Sequence, residues 1–78
     1  MSKSINIEAF LKKFNEEYDF LYEHHDRVAG YRDAVDAFDE FVKTHREFVG
    51  EFVNYRKDFI SSDREAAAFM FALNSMAA

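Results

Sequence analysis

The sequence predicts an all-α fold, an antiparallel helical hairpin joined to a third, shorter helix. Three observations carry this expectation. Proline is absent and glycine occurs only at Gly30 and Gly50, so the residues that most often punctuate helices are nearly missing. Ile7, Leu11, Phe14, Tyr18, Leu21, His25 and Val28 alternate at steps of four and three, the apolar seam of a packed helix. Finally, an acid, a phenylalanine and a β-branched residue recur four times, as Glu40-Phe41-Val42, Glu47-Phe48-Val49, Glu51-Phe52-Val53 and Asp58-Phe59-Ile60. Steps of seven and four return to nearly the same helical face, because a helix turns about 100° per residue.

The first helix is expected over residues 6–29. Asn6 can cap its first turn, and Ile5 and Phe10 hold the two positions of a hydrophobic staple. The second is expected over residues 31–60, with the seam Tyr31, Val35, Phe38, Val42, His45, Val49, Phe52, Arg56 and Phe59. Ala34, Phe41, Phe48 and Tyr55 widen that seam. Its register does not continue from Val28, so a turn is expected around Gly30. Gly50 reads as a small residue that lets another helix approach closely. The third helix is expected over residues 62–76. Ser62 and Glu65 form a capping-box pair, and the following Ala66–Leu73 stretch is apolar on nearly every side, the mark of a helix that is covered all round.

Length and composition limit function. Seventy-eight residues make one domain at most with a modest core, which ten phenylalanines enlarge by burying much area per residue. Cysteine is absent, which excludes disulfides and thiolate metal sites. The net charge of −5 is spread along the chain without a basic segment, so direct nucleic-acid and membrane binding are not expected. No leader or membrane-spanning run is visible, and the expected location is the cytoplasm.

No catalytic or metal constellation emerges. Thr44, Ser61 and Ser62 have no spaced histidine and acid, and no glycine-rich phosphate loop is present. His24 and His25 are adjacent and so point about 100° apart, with no carboxylate or histidine three or four residues away. No enzyme activity, cofactor or metal is expected.

Apolar side chains cover roughly 160° of the second helix, more than one neighbour can bury, and Phe20 and Phe71 lie off the seams of their helices. Such excess marks an interface. The expected function is therefore a non-enzymatic interaction module that self-associates and binds a protein partner through Phe41, Phe48, Phe52, Phe59, Phe69, Met70 and Phe71. In general character the chain resembles small phage-encoded accessory proteins and inhibitors that bind and block a macromolecule. Two other readings use different residues. Asp33, Asp36, Glu40, Glu47, Glu51 and Asp58 fall within about 60° around the second helix, and such a line of carboxylates could mimic nucleic acid. Arg32, Lys43, Arg46 and Lys57 flank it, as on ordinary solvated faces. Alternatively Tyr18, His45 and Arg56 could line a nucleotide-sized pocket between protomers; His45 itself reads either as a core histidine bonded to Tyr18 or a backbone carbonyl, or as part of a pH-sensitive interface.

Overall fold

A computed structural model describes residues 6–77 of the chain. All regular structure among them is helical, without strands. The order is α1 (Ile7–His24), a 3-10 turn (His25–Arg27), α2 (Tyr31–Thr44), α3 (Arg46–Tyr55) and α4 (Asp63–Ala77). Asn6 caps α1, its Oδ1 accepting from the Ala9 N–H at 3.0 Å. Ile5, the other half of the expected staple, lies outside the described residues. The 3-10 turn tightens the end of the first helix, and Gly30 then takes the left-handed region at φ 82°. That conformation is open to glycine without a Cβ clash, and it separates α1 from α2.

The expected continuous helix over residues 31–60 is instead two helices. The break falls at His45, at φ −132° and ψ 54°. Helical hydrogen bonds continue on either side, from His45 N–H to the Phe41 carbonyl at 2.8 Å and from Val49 N–H to the His45 carbonyl at 3.1 Å. The physical reason lies in the polar run Lys43–Glu47, which has no apolar side chain to hold a straight course against the core. Thr44 also turns its hydroxyl back on the Glu40 and Phe41 carbonyls, at 3.2 and 3.3 Å, the back-bonding that bends helices. His45 consequently leaves the seam and is exposed. The chain thus has four α-helices among the described residues rather than three.

The packing also departs from a hairpin with a covering helix. α4 is the centre, packed mainly against α1 and α2, while α1 and α2 have little direct contact. Ala66, Ala67, Ala68, Phe69, Met70 and Ala72 are all buried. Three consecutive alanines keep this helix thin, so neighbours can approach it from several sides. Phe69 anchors the core, with the rings of Phe10, Phe52 and Phe38 edge-on to it at 4.9, 5.0 and 5.2 Å. Edge-to-face contacts of this kind add about 0.5–1.5 kcal/mol each beyond area burial. Gly50 is exposed on α3, with open space where a Cβ would stand. It therefore permits no close helix approach.

The capping box forms as the sequence predicts. Glu65 N–H donates to the Ser62 hydroxyl at 3.3 Å, and Glu65 Oε1 accepts from Ser62 N–H at 3.2 Å and from the Ser62 hydroxyl at 3.0 Å. The same oxygen accepts from Ile60 N–H at 3.2 Å. Glu65 is buried, and its hydrogen bonds satisfy the carboxylate oxygen there.

Candidate functional site

Two concave surfaces draw on the second half of α1 and the turn after it, one apolar and one polar. The apolar groove, about 360 Å³, lies between α1 and α4. Glu17, Phe20, Leu21, Val28, Phe71, Asn74 and Ser75 line it. Phe20 and Phe71, read from the sequence as aromatic residues left over from their seams, thus come together. Phe20 remains 53% exposed because it sits on the flank of α1, while Phe14 and Leu21 take the core side. Its ring rests against His24, centroids 4.9 Å apart. Among the described residues, Glu17 is the only charged one that lines the groove. Five acids and no Lys or Arg stand between Glu16 and Asp26, so the α1 rim is negative. Lys13 reaches Glu16 and Glu17 at 3.6 and 3.9 Å, which offsets only part of that charge.

The polar pocket, about 470 Å³, is lined by Tyr18, His25, Tyr31, Arg32, Ser62, Asp63 and Arg64. Arg64 lies over the Tyr22 ring at 5.1 Å from its centroid. One of its terminal nitrogens, Nη2, is 3.5 Å from His25 Nδ1. Its Nε is shut off from solvent and has no acceptor among the described residues. Arg32 meets the Asp63 carboxylate at 3.3 Å, with both side chains largely exposed.

The residues singled out from the sequence are distributed differently. Phe52 and Phe69 are fully covered within the chain, and Met70 is buried. Phe41, Phe48, Phe59 and Phe71 are half-buried against the same core. The apolar surface left open belongs instead to Phe20, Tyr22, Tyr55 and Ile60. All six residues of the acidic line, Asp33, Asp36, Glu40, Glu47, Glu51 and Asp58, are exposed. They are divided among α2, α3 and the segment after α3, so the kink at His45 interrupts the line. Lys43 pairs with Glu40 at 3.6 Å and Arg56 with Asp58 at 3.3 Å.

Tyr18, His45 and Arg56 do not converge. Phe14 stands between Tyr18 and Arg56, stacking on the first with centroids 6.1 Å apart and carrying the second over its face at 5.2 Å. Arg56 also donates to Asn15 and to Asp58. His45 sits at the kink, its Nδ1 2.8 Å from the Thr44 hydroxyl. That hydroxyl has one proton, for which two backbone carbonyls compete, and the pair stands exposed. Among the described residues no group of three His, Asp or Glu side chains is placed to hold a metal ion, and no helix is long and apolar enough to cross a membrane. Comparison with known protein families, with curated proteins and with solved structures finds no match to this chain.

Proposed function

We propose that this protein is a non-catalytic interaction module whose apolar groove between α1 and α4 takes a segment of another protein. The observation that supports this reading is the convergence of exposed Phe20 with Phe71, Leu21 and Val28 on one concave, almost uncharged surface. Open aromatic side chains beside a groove supply the anchor contacts that dominate protein interfaces. The negative rim from Glu16 to Asp26 selects the occupant. It favours an amphipathic segment with an aromatic or aliphatic anchor flanked by Lys or Arg. A second copy of this chain fits less well. A two-fold contact centred on Phe20 would set the same acids against one another. The module acts by occupying its partner, which suits a blocking or tethering role.

A benzophenone-bearing phenylalanine in place of Phe20 tests this by photo-crosslinking in the cells that make the protein. The expected adduct joins position 20 to an apolar segment of a different protein flanked by basic residues. Phe20→Asp is expected to weaken binding of that segment by at least about tenfold, with the melting temperature unchanged. Adducts confined to a second copy of the chain, or none at all, would overturn the reading.

A further inference from the structure

The polar pocket has properties that protein docking at the groove does not explain. It gathers two guanidinium groups, from Arg32 and Arg64, in a chain that is acidic overall. Arg64 has no carboxylate within salt-bridge distance among the described residues, and its Nε is buried without an acceptor. A partly buried cation without a counter-ion is destabilising unless something supplies the missing charge. The acids on either side of it in sequence are committed elsewhere. Glu65 is tied into the capping box at Ser62 and Ile60. Asp63 faces Arg32 in an exposed pair at 3.3 Å, a weak contact that another anion can exchange.

Arg64 is nevertheless held in place. Tyr22 lies under its guanidinium and His25 Nδ1 stands beside it. In the contact with His25 the arginine is the donor, since a guanidinium has no acceptor. The arginine is thus oriented before any ligand arrives, which lowers the entropic cost of binding. Beside Ser62 and Asp63, the remaining lining is aromatic, from Tyr18, Tyr31 and the His25 ring, whose centroid is 5.3 Å from that of Tyr31. The volume falls within the range of small-molecule sites.

We propose that this pocket binds a small phosphate monoester carried on a planar aromatic ring, in the size class of a mononucleotide. Arg64 and Arg32 take the phosphate oxygens, as guanidinium forks do in bidentate recognition. Tyr31 and Tyr18 flank the ring. The N-terminus of α4 is not the anion holder, because its capping box already engages the Glu65 N–H and the side chain of Ser62.

The test is an NMR titration of the full chain with adenosine monophosphate, inorganic phosphate and adenosine, at matched ionic strength. The monophosphate is expected to shift Tyr31, Arg32, Asp63 and Arg64. Phosphate and adenosine are each expected to bind roughly tenfold more weakly. Arg64→Gln is expected to cost at least about tenfold in affinity, and Arg64→Lys to recover only part of it, since lysine keeps the charge but loses the fork. If Arg64→Gln does not fold, the exposed Arg32→Gln carries the same expectation of weaker binding. Shifts no larger than those from sodium chloride, shifts centred away from the pocket, or equal affinity in the folded arginine variants would overturn the proposal. None of these outcomes bears on the groove, so the two sites fail independently.

Discussion

His45 lies flat on Phe41, with ring planes 6° apart and centroids separated by 4.2 Å. The pair straddles the joint between α2 and α3, and Phe41 in turn leans on Phe69, centroids 5.6 Å apart. An exposed histidine therefore covers the outside of a core phenylalanine at the point where the helix bends. His45→Ala is expected to lower stability by about 0.5–1 kcal/mol, and His45→Phe, which keeps the stack, to stay within about 0.5 kcal/mol of the parent. Urea denaturation followed by circular dichroism separates the two.

Ala67 is fully buried in the middle of α4, where its small side chain allows neighbouring helices to close in. Ala67→Leu is expected to cost about 1–3 kcal/mol through overpacking. The same substitution at exposed Ala37 is expected to fall within about 0.5 kcal/mol of the parent. Thermal melts of both variants provide the comparison. A melting temperature unaffected by Ala67→Leu would contradict the central position of α4.

Glu65 Oε1 accepts hydrogen bonds from Ile60, from Ser62 N–H and from the Ser62 hydroxyl. Glu65→Ala leaves these donors without their partner and is expected to cost about 1–2 kcal/mol. Glu65→Gln keeps an acceptor and loses the charge, so a smaller loss is expected. Hydrogen exchange at the Ile60 and Ser62 amides reads the effect locally, since both are expected to exchange faster in Glu65→Ala.

The Asp58 carboxyl titrates below the ordinary aspartate range, because it accepts a hydrogen bond from Arg56 and lies beside that positive charge. A depressed folded-state pKa means the contribution is present above the unfolded value and disappears as pH falls through the folded one. Its size is small, because Asp58 is fully exposed to solvent. Carbon NMR of the carboxyl is expected to show the lowered midpoint. Arg56→Gln is expected to move it back up, and an unmoved midpoint would rule out the arginine as its cause.

The helix ends were the most legible part of the chain, because their signals are local. Asn6, Gly30 and the Ser62–Glu65 pair each act within a few residues of themselves. The break at His45 was hidden by a seam that continues in phase through Val42, His45 and Val49. Only the polar run Lys43–Glu47 marked it. Ala66–Leu73 announced a covered helix, but a helix apolar all round does not say which neighbours cover it. The groove could be anticipated from Phe20 and Phe71 as aromatics without a seam. The polar pocket could not, since Tyr18 and His25, Tyr31 and Arg32, and Ser62 to Arg64 are brought together only by how α4 meets the ends of α1 and α2.

The central place of α4 has a consequence for how the chain is made. α1 is made before α3 and α4, yet the distant rings that pack on Phe10 and Phe14, those of Phe48, Phe52, Phe59 and Phe69, all lie in the second half of the chain. Until those residues follow, the aromatic face of α1 lacks its distant cover. Contacts so distant in sequence delay closure of the core compared with a local hairpin. A nascent chain arrested before α3 presents Phe10 and Phe14 without these partners, the kind of surface that chaperones hold and proteases clear.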